Sequence, residues 1–430
     1  MSAPPEKGLR DPVEALPRDQ LRALQLERLR ATIDRVHAGQ PLGASRLAAA
    51  GIGRGAELET LADIQRLDFA VKSELRENYP FGLLAVPREQ LVRVHASSGT
   101  HGKPTVVGYT AADLENWTEL MARSMAMAGV RAGMVVHNAN GYGLFTGGLG
   151  FHQGGERLGA TVVPVSGGRT TRQAMLIRDF GAQVLAATPS YALVIAQALE
   201  AEGAKEIRLE LGLFGGEPWT EGLRTEIERA LGLRAVSFYG LSEMCGPGVA
   251  AECLEARTGL HVHEDHFLVE VIDEHGREVE SGAEGELVFT TLTKEALPLI
   301  RYRTGDLGRL IEEPCVCGRS TVRIAGLRGR LDEMLIVRGV NLYPSEVEEA
   351  LLSVEGLAPH YQLVLERLGP LDELRLECEP AGELDRGALA TRLELLLKER
   401  TGLRIPVAVL DPGTIPRSEG KAARVLDRRG

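Results

Sequence analysis

Apolar positions along this chain change their rhythm twice. Through residue 75 they recur at mixed helical spacings among charges, as in Gln20-Leu21-Arg22-Ala23-Leu24-Gln25-Leu26, which predicts a mainly helical start. From there to residue 240 short apolar blocks alternate with amphipathic stretches. Strands are predicted at 134–138, 160–165, 184–188, 211–214 and 236–240, and helices at 111–128, 170–180, 191–201 and 221–231. That βα alternation argues for an α/β protein with a mainly parallel sheet covered by helices on both faces. After residue 264 the rhythm changes again. Strands at 267–272 and 285–292 follow one another without helices between them, which predicts an antiparallel, barrel-like piece. Gly329-Arg330-Leu331-Asp332 marks a boundary. Beyond it an apolar strand at 334–337 and a helix opening on Pro344-Ser345-Glu346 fit a small α+β domain. The expected division is 1–330 and 331–430.

Glycine clusters sit where the predicted parallel strands end, the place where ligands gather in such sheets. Ser97-Ser98-Gly99-Thr100-His101-Gly102-Lys103-Pro104-Thr105 offers hydroxyls, a cation and two bendable positions, a composition suited to phosphate oxygens. Pro104 after the lysine excludes a Walker A loop. Gly141-Tyr142-Gly143-Leu144-Phe145-Thr146-Gly147-Gly148 combines glycines with aromatic rings, which predicts a tight turn or a wall of an apolar cavity.

Composition narrows the class. A chain of 430 residues exceeds one ordinary core. Its net charge of −11 argues against nucleic acid as the main partner. No apolar run reaches membrane-spanning length and the first residues lack the apolar core of a signal peptide, so a cytoplasmic protein without a membrane partner is expected. Five cysteines are too few, and odd in number, for a disulfide framework.

Several ordered motifs together resemble the adenylate-forming acyl-CoA synthetase superfamily. They are the 97–105 loop, Phe238-Tyr239-Gly240-Leu241-Ser242-Glu243, Tyr302-Arg303-Thr304-Gly305-Asp306, Gly329-Arg330-Leu331-Asp332 and Pro416-Arg417-Ser418-Glu419-Gly420-Lys421. Within it, Tyr142 to Gly148, Glu264-Asp265-His266-Phe267 and Arg338-Gly339-Val340-Asn341-Leu342-Tyr343-Pro344 resemble the phenylacetate-CoA ligase family. The resemblance implies a large N-terminal domain and a small mobile C-terminal domain. It also implies a two-step reaction: ATP and an aromatic acid, phenylacetate first among candidates, give an acyl-adenylate, and coenzyme A then takes the acyl group.

By the same resemblance, Lys421 is the catalytic lysine and Glu243 a Mg²⁺ ligand. Ser97, Ser98, Gly99, Thr100, Gly102 and Lys103 cover the terminal phosphates, with His101 standing where a second threonine is usual. Gly215, Gly216, Glu217 and Pro218 lie beside adenine, and Tyr239 and Gly240 line the strand end. Asp306 takes the ribose hydroxyls, Arg330 lies near the nucleotide, and Asp332 is the hinge. Tyr142, Gly143, Phe145, Gly240 and Pro247 are assigned to the acyl pocket, where benzoate-, indoleacetate- and cinnamate-like acids are also accommodated. A homodimer is expected. Two other readings stand beside this one: a loader of a carrier-protein thiol, and a non-catalytic nucleotide-binding module.

Cys315-Val316-Cys317 places two thiols within one turn, and Cys253 and a histidine-rich run precede it by some sixty residues. Cys253, His261, Cys315 and Cys317 would make a structural Zn²⁺ site, the histidine being the one the family resemblance points to; the alternative is free buried thiols.

Overall fold

The computed structural model describes residues 9–97, 103–203, 207–337, 340–368 and 371–429. Helices α1 (Arg18–Gly39) and α2 (Pro41–Ala49) open the chain. They bury Leu29, Ile33, Val36 and Leu47 with Ile52, Leu58 and Leu292, a core separate from that of the main sheet. Short helix α3 (Lys72–Glu77) leads to a hairpin, β1 (Arg93–Ser97) and β2 (Thr105–Tyr109), in which Ser97 opposes Thr105. Helix α4 (Ala111–Met127) starts on a capping box in which Thr110 and Asp113 satisfy each other's backbone amides.

The βα alternation then runs as β3 (Val135–Asn138), α5 (Gly147–Leu158), β4 (Thr161–Val163), α6 (Thr170–Asp179), β5 (Val184–Ala187), α7 (Pro189–Ala201), β6 (Leu211–Gly215), α8 (Glu221–Leu231) and β7 (Arg234–Leu241). The strands β4, β3, β5, β6 and β7 lie side by side and parallel. Side chains of β5 alternate between two cores. Val184 and Ala186 face the one holding α4, while Leu185 and Ala187 face the one built by α6, α7 and α8.

Six antiparallel strands complete the sheet: β8 (Gly246–Glu252), β9 (Leu260–Val262), β10 (Phe267–Ile272), β11 (Gly285–Thr291), β12 (Tyr302–Ile311) and β13 (Arg323–Arg330). The strand order β10-β11-β12-β13-β9-β8-β7-β6-β5-β3-β4 makes the antiparallel piece expected after residue 264 continuous with the parallel strands in one sheet. Six of the eleven strands are antiparallel and hydrogen-bond directly onto the five parallel ones through β7 and β8. Gly240 permits that junction: a Cβ there would lie 2.0 Å from the Gly246 carbonyl oxygen.

Helix α5 was hidden by its own composition. Its glycines are needed because it packs almost backbone to side chain. A Cβ at Gly150 would lie 2.8 Å from Pro247 and 3.0 Å from Trp117, and one at Gly154 would lie 2.6 Å from the Met121 Cβ. Close packing outweighs the low helix propensity of glycine.

The C-terminal residues form a core of their own from Val337 onward. They comprise β14 (Leu335–Val337), β15 (Val340–Leu342), α9 (Pro344–Leu352), β16 (Leu357–Leu368), β17 (Leu371–Pro380), α10 (Arg386–Thr401), β18 (Val407–Val409) and β19 (Val425–Asp427). Their main sheet has the order β18-β17-β16-β19. Thr220 and Arg424 both donate to the Glu348 carboxylate, at 3.0 and 3.1 Å, and the Gln197 amide donates to Nε2 of His360 at 2.7 Å. These contacts tie the small unit to α7 and α8.

Candidate active site

A cleft opens where the C-terminal ends of β5, β6 and β7 meet the small unit. Gly216 has φ +87°, and a Cβ there would come within 3.9 Å of Lys421 Cε. The Lys421 ammonium lies 5.7 Å from the centre of the Phe145 ring. Its side chain stays open to the cleft, yet enclosure by the cleft walls pushes its pKa below the usual lysine range, against the pull of Glu217 and Glu333.

Across the cleft Tyr239 donates to Asp306 Oδ2 at 2.6 Å, and Arg330 reaches Asp306 Oδ1 at 3.3 Å and Asp332 Oδ1 at 2.8 Å. Burial raises the Asp306 pKa, while Arg330 and the Tyr239 hydroxyl oppose that shift. The carboxylate is oriented by two donors. Asp332 sits in the single turn Leu331–Glu333 that follows β13, directly before the separate C-terminal core.

Glu243 is buried. Its carboxylate faces Lys72 Nζ at 3.9 Å, and its carboxylate also raises the pKa of the buried Tyr302 phenol, after desolvation. Two further groups fix the backbone that carries it. The Lys294 ammonium donates to the carbonyl oxygens of Glu243 and Met244, and the Tyr109 hydroxyl to that of Ser242. Lys294 also lies 4.5 Å above the Tyr109 ring, and burial lowers its pKa to about 8. Neither Lys72 nor Lys294 was singled out from sequence. Lys72 falls in the helical start that carried no expected chemistry, and Lys294 has no motif around it; only the chain path brings them here.

At the base of the β1–β2 hairpin, the hydroxyls of Ser97 and Thr105 are buried without a hydrogen-bond partner among the described residues. They face each other across the base of the hairpin. Ser98, Gly99, Thr100, His101 and Gly102 lie outside the described residues, as do Arg338 and Gly339. Lys103 is exposed and places its ammonium 5.4 Å from the Tyr79 ring centre. Glu217 Oε1 accepts from the Ser190 amide at 2.7 Å and Oε2 from the Ala422 amide at 2.8 Å.

The third wall is aromatic. Asn138 donates to the Tyr142 hydroxyl and to the Gly148 carbonyl, each at 2.8 Å, and His152 Nδ1 lies 3.1 Å from the same hydroxyl. Burial raises the Tyr142 pKa to about 12, so the phenol stays neutral. Gly143 has φ +121°, which lets the loop turn between Tyr142 and Phe145. Pro247 accepts from the Trp117 indole at 2.7 Å through its carbonyl.

The AMP-binding enzyme family pattern matches residues 47–292, and the AMP-binding enzyme C-terminal domain pattern matches residues 339–429. A phenylacetate-coenzyme A ligase of Thermus thermophilus is 50% identical over 439 residues, covering 97% of this chain and 98% of the relative. The chain belongs to the phenylacetate-coenzyme A ligase family of AMP-binding enzymes. An Escherichia coli phenylacetate-coenzyme A ligase is 47% identical, with 97% of each chain covered. Among solved structures, a 2-hydroxyisobutyryl-CoA ligase in its postadenylation state with a bound acyl-AMP matches with TM-score 0.93 and 29% identity over 100% of this chain and 94% of that one. The same enzyme in its thioesterification state, with acyl-AMP and CoA, matches with TM-score 0.73. The two-unit arrangement here is thus that of the first of these states.

Away from the cleft, this family member gathers Cys253, His261, Cys315 and Cys317, with one ligand atom from each lying within 4.8 Å of the others. Cys253 and Cys315 sulfurs are 3.7 Å apart, and Cys317 Sγ is 3.4 Å from His261 Nε2. A tetrahedral ion with metal–sulfur bonds of about 2.3 Å has sulfurs about 3.8 Å apart, a spacing close to that of the Cys253 and Cys315 sulfurs. Thr321 Oγ1 lies 3.1 Å from His261 Nδ1, the second contact that fixes the ring of a metal-binding histidine. Gly318, with φ +86°, closes the turn through its amide to the Cys315 carbonyl. Hydrogen bonding from Cys253 and His261 favours a thiolate at Cys317.

Proposed function

We propose that this chain is an AMP-forming ligase that activates phenylacetate with ATP and passes the acyl group to coenzyme A. A carboxylate oxygen forms a bond to the α-phosphorus as pyrophosphate leaves. The thiolate of coenzyme A then attacks the acyl carbon, and AMP leaves. The observation that carries this reading is the Lys421 ammonium held over Phe145 and beside Gly216, between the aromatic wall and the Asp306–Arg330 pair. A cation there neutralises charge shared between acid and α-phosphate as it develops.

Asp306, oriented by Tyr239 and Arg330, accepts from the ribose hydroxyls. The orphaned hydroxyls of Ser97 and Thr105 donate toward the phosphate chain, with Ser98, Gly99, Thr100, Gly102 and Lys103 completing that side. Glu243 would hold Mg²⁺, which supplies neutralisation of the leaving pyrophosphate. Gly215, Gly216, Glu217 and Pro218 form the segment beside the base, and Tyr142, Gly143, Phe145, Gly240 and Pro247 enclose the aryl group. Asp332 is the hinge between units 1–330 and 331–430. Cys253, His261, Cys315 and Cys317 would hold a structural Zn²⁺. What supports phenylacetate over other acids is the identity near one half, along the full length, to relatives named for that acid.

The test is acid-dependent pyrophosphate release across phenylacetate, benzoate, indoleacetate and cinnamate, with and without coenzyme A. Phenylacetate is expected to give the highest kcat/KM. A higher value for another acid would replace the substrate, and no release with any of them would remove the reading.

A further inference from the structure

Lys421 sits on the loop 418–422, which has no regular secondary structure. A lysine side chain on such a loop is fixed only as well as its backbone. Ser418 partly organises the loop from within, donating to the Lys421 carbonyl at 2.6 Å. Two bonds from the large unit do the rest, and they flank the lysine. Thr188 Oγ1 donates to the Gly420 carbonyl at 2.9 Å, and the Ala422 amide donates to Glu217 Oε2 at 2.8 Å.

Both partners are themselves anchored to the first turn of α7. Thr188 is its N-cap and accepts from the Tyr191 amide at 3.4 Å, while Glu217 Oε1 accepts from the Ser190 amide at 2.7 Å. Each group therefore spends one polar atom or lone pair on a rigid helix and another on the mobile loop. Gly167 and Gly168 leave the room the loop needs, since a Cβ on either would meet Glu419 at 3.0 or 2.9 Å.

We propose that Thr188 and Glu217 are positioning residues, a socket on α7 that seats the lysine loop for adenylation and releases it before the coenzyme A step. This rests on the ligase reading given above. The socket joins the two units, so it exists only in one of their arrangements. That arrangement aligns with the postadenylation state of 2-hydroxyisobutyryl-CoA ligase at TM-score 0.93, against 0.73 for its thioesterification state. Bonds that bracket the lysine in the first arrangement contribute to forming the mixed anhydride. They have no part in the second step and must break for it.

The experiment separates the half-reactions. Adenylation is followed by phenylacetate-dependent exchange of labelled pyrophosphate into ATP, and thioester formation by single turnover of synthetic phenylacetyl-adenylate with coenzyme A. Loss of one such hydrogen bond in Thr188→Val is expected to slow adenylation about tenfold. Thioester formation should stay within about twofold of the parent, since no socket bond acts there. Thr188→Ser keeps the hydroxyl and should restore most of the lost adenylation. Amide hydrogen exchange across 418–424 gives a readout that needs no turnover: it should quicken in Glu217→Gln, whose amide cannot accept from both backbone donors. Equal loss in both half-reactions, or unchanged adenylation together with unchanged exchange, would overturn the socket. A parent protein that forms no acyl-adenylate but whose 418–424 exchange quickens in Glu217→Gln would retain the socket and remove the ligase reading.

Discussion

At the scale of single residues, the cleft is a set of charges held by neighbours of opposite kind. Lys421 feels the charge of Glu217, Glu333 and Asp306 and makes no salt bridge among the described residues, which leaves its ammonium available. Lys421→Ala should lower adenylation about 10²–10³-fold, the cost of losing one preorganised charge contact, while ATP affinity measured by calorimetry stays close to the parent. Lys294 works one step back. Its ammonium ties down the carbonyls of Glu243 and Met244, so Lys294→Met should leave the Glu243 carboxylate less well aimed. The expected result is a rise of about tenfold in the Mg²⁺ concentration for half-maximal rate, with a smaller effect on the rate at saturating Mg²⁺. An unchanged Mg²⁺ dependence would reduce Lys294 to a packing residue. Lys421 and Asp306 were singled out from sequence because each sits in a motif that the family resemblance marks. Lys294 and Lys72 were silent: their partners are 51 and 171 positions away, counted from Glu243 at 243 to 294 and from 72 to 243.

Among the elements, α5 shows why composition misleads. Gly147 and Gly148 read as part of a turn or cavity wall, yet with the glycines at 150, 154 and 155 they begin and face a helix whose neighbours leave no room for a Cβ. Gly154→Ala should cost about 1–3 kcal/mol through overpacking against Met121, despite alanine's better helix propensity. Urea unfolding checks it; a gain in stability would mean that α4 and α5 can move apart freely. The helices α4, α6, α7 and α8 were legible because their periodicity agrees with their burial. The extent of the antiparallel part was not. The helix-free rhythm after residue 264 marked two of its strands, but nothing local shows that these and four others hydrogen-bond onto the parallel strands as one sheet.

For the molecule as a whole, the interface between the units is polar and therefore sensitive to conditions. His360 in β16 accepts from Gln197 of α7 and is buried, and burial together with Arg417 and Arg424 lowers its pKa from 6.5 to about 4. The folded state resists a proton that the unfolded chain takes up. The contribution of His360 is complete above pH 6.5 and is lost as the pH falls toward about 4, a loss on the order of 2–3 kcal/mol. Melting temperature should fall between pH 7 and 5, and fall less in His360→Gln. Equal slopes would exclude His360 as the source. At the cysteine and histidine cluster, Arg319, two residues after Cys317, pairs with buried Glu14 at 2.7 Å and so joins the N-terminal segment to the cluster. Purified protein should carry about one zinc per chain, and Cys317→Ser should lose it together with roughly 5 °C of melting temperature. Less than about a tenth of an equivalent in the parent would mean free thiols.

By itself the amino-acid order determined the alternation of strands and helices, the separate small unit, and the residues whose chemistry is carried by an immediate neighbourhood: the glycine turns, the paired cysteines, the lysine near the end. These are legible because periodicity, turn chemistry and motif spacing act over a few residues. Tertiary structure alone decided that one sheet carries both strand directions. It also decided that Glu217 grips the lysine loop, that Lys294 secures the backbone of Glu243, and that four ligands from three segments converge within 4.8 Å. Each of those depends on contacts between residues far apart in the chain, and such contacts are selected by the packing of the whole rather than by any local preference.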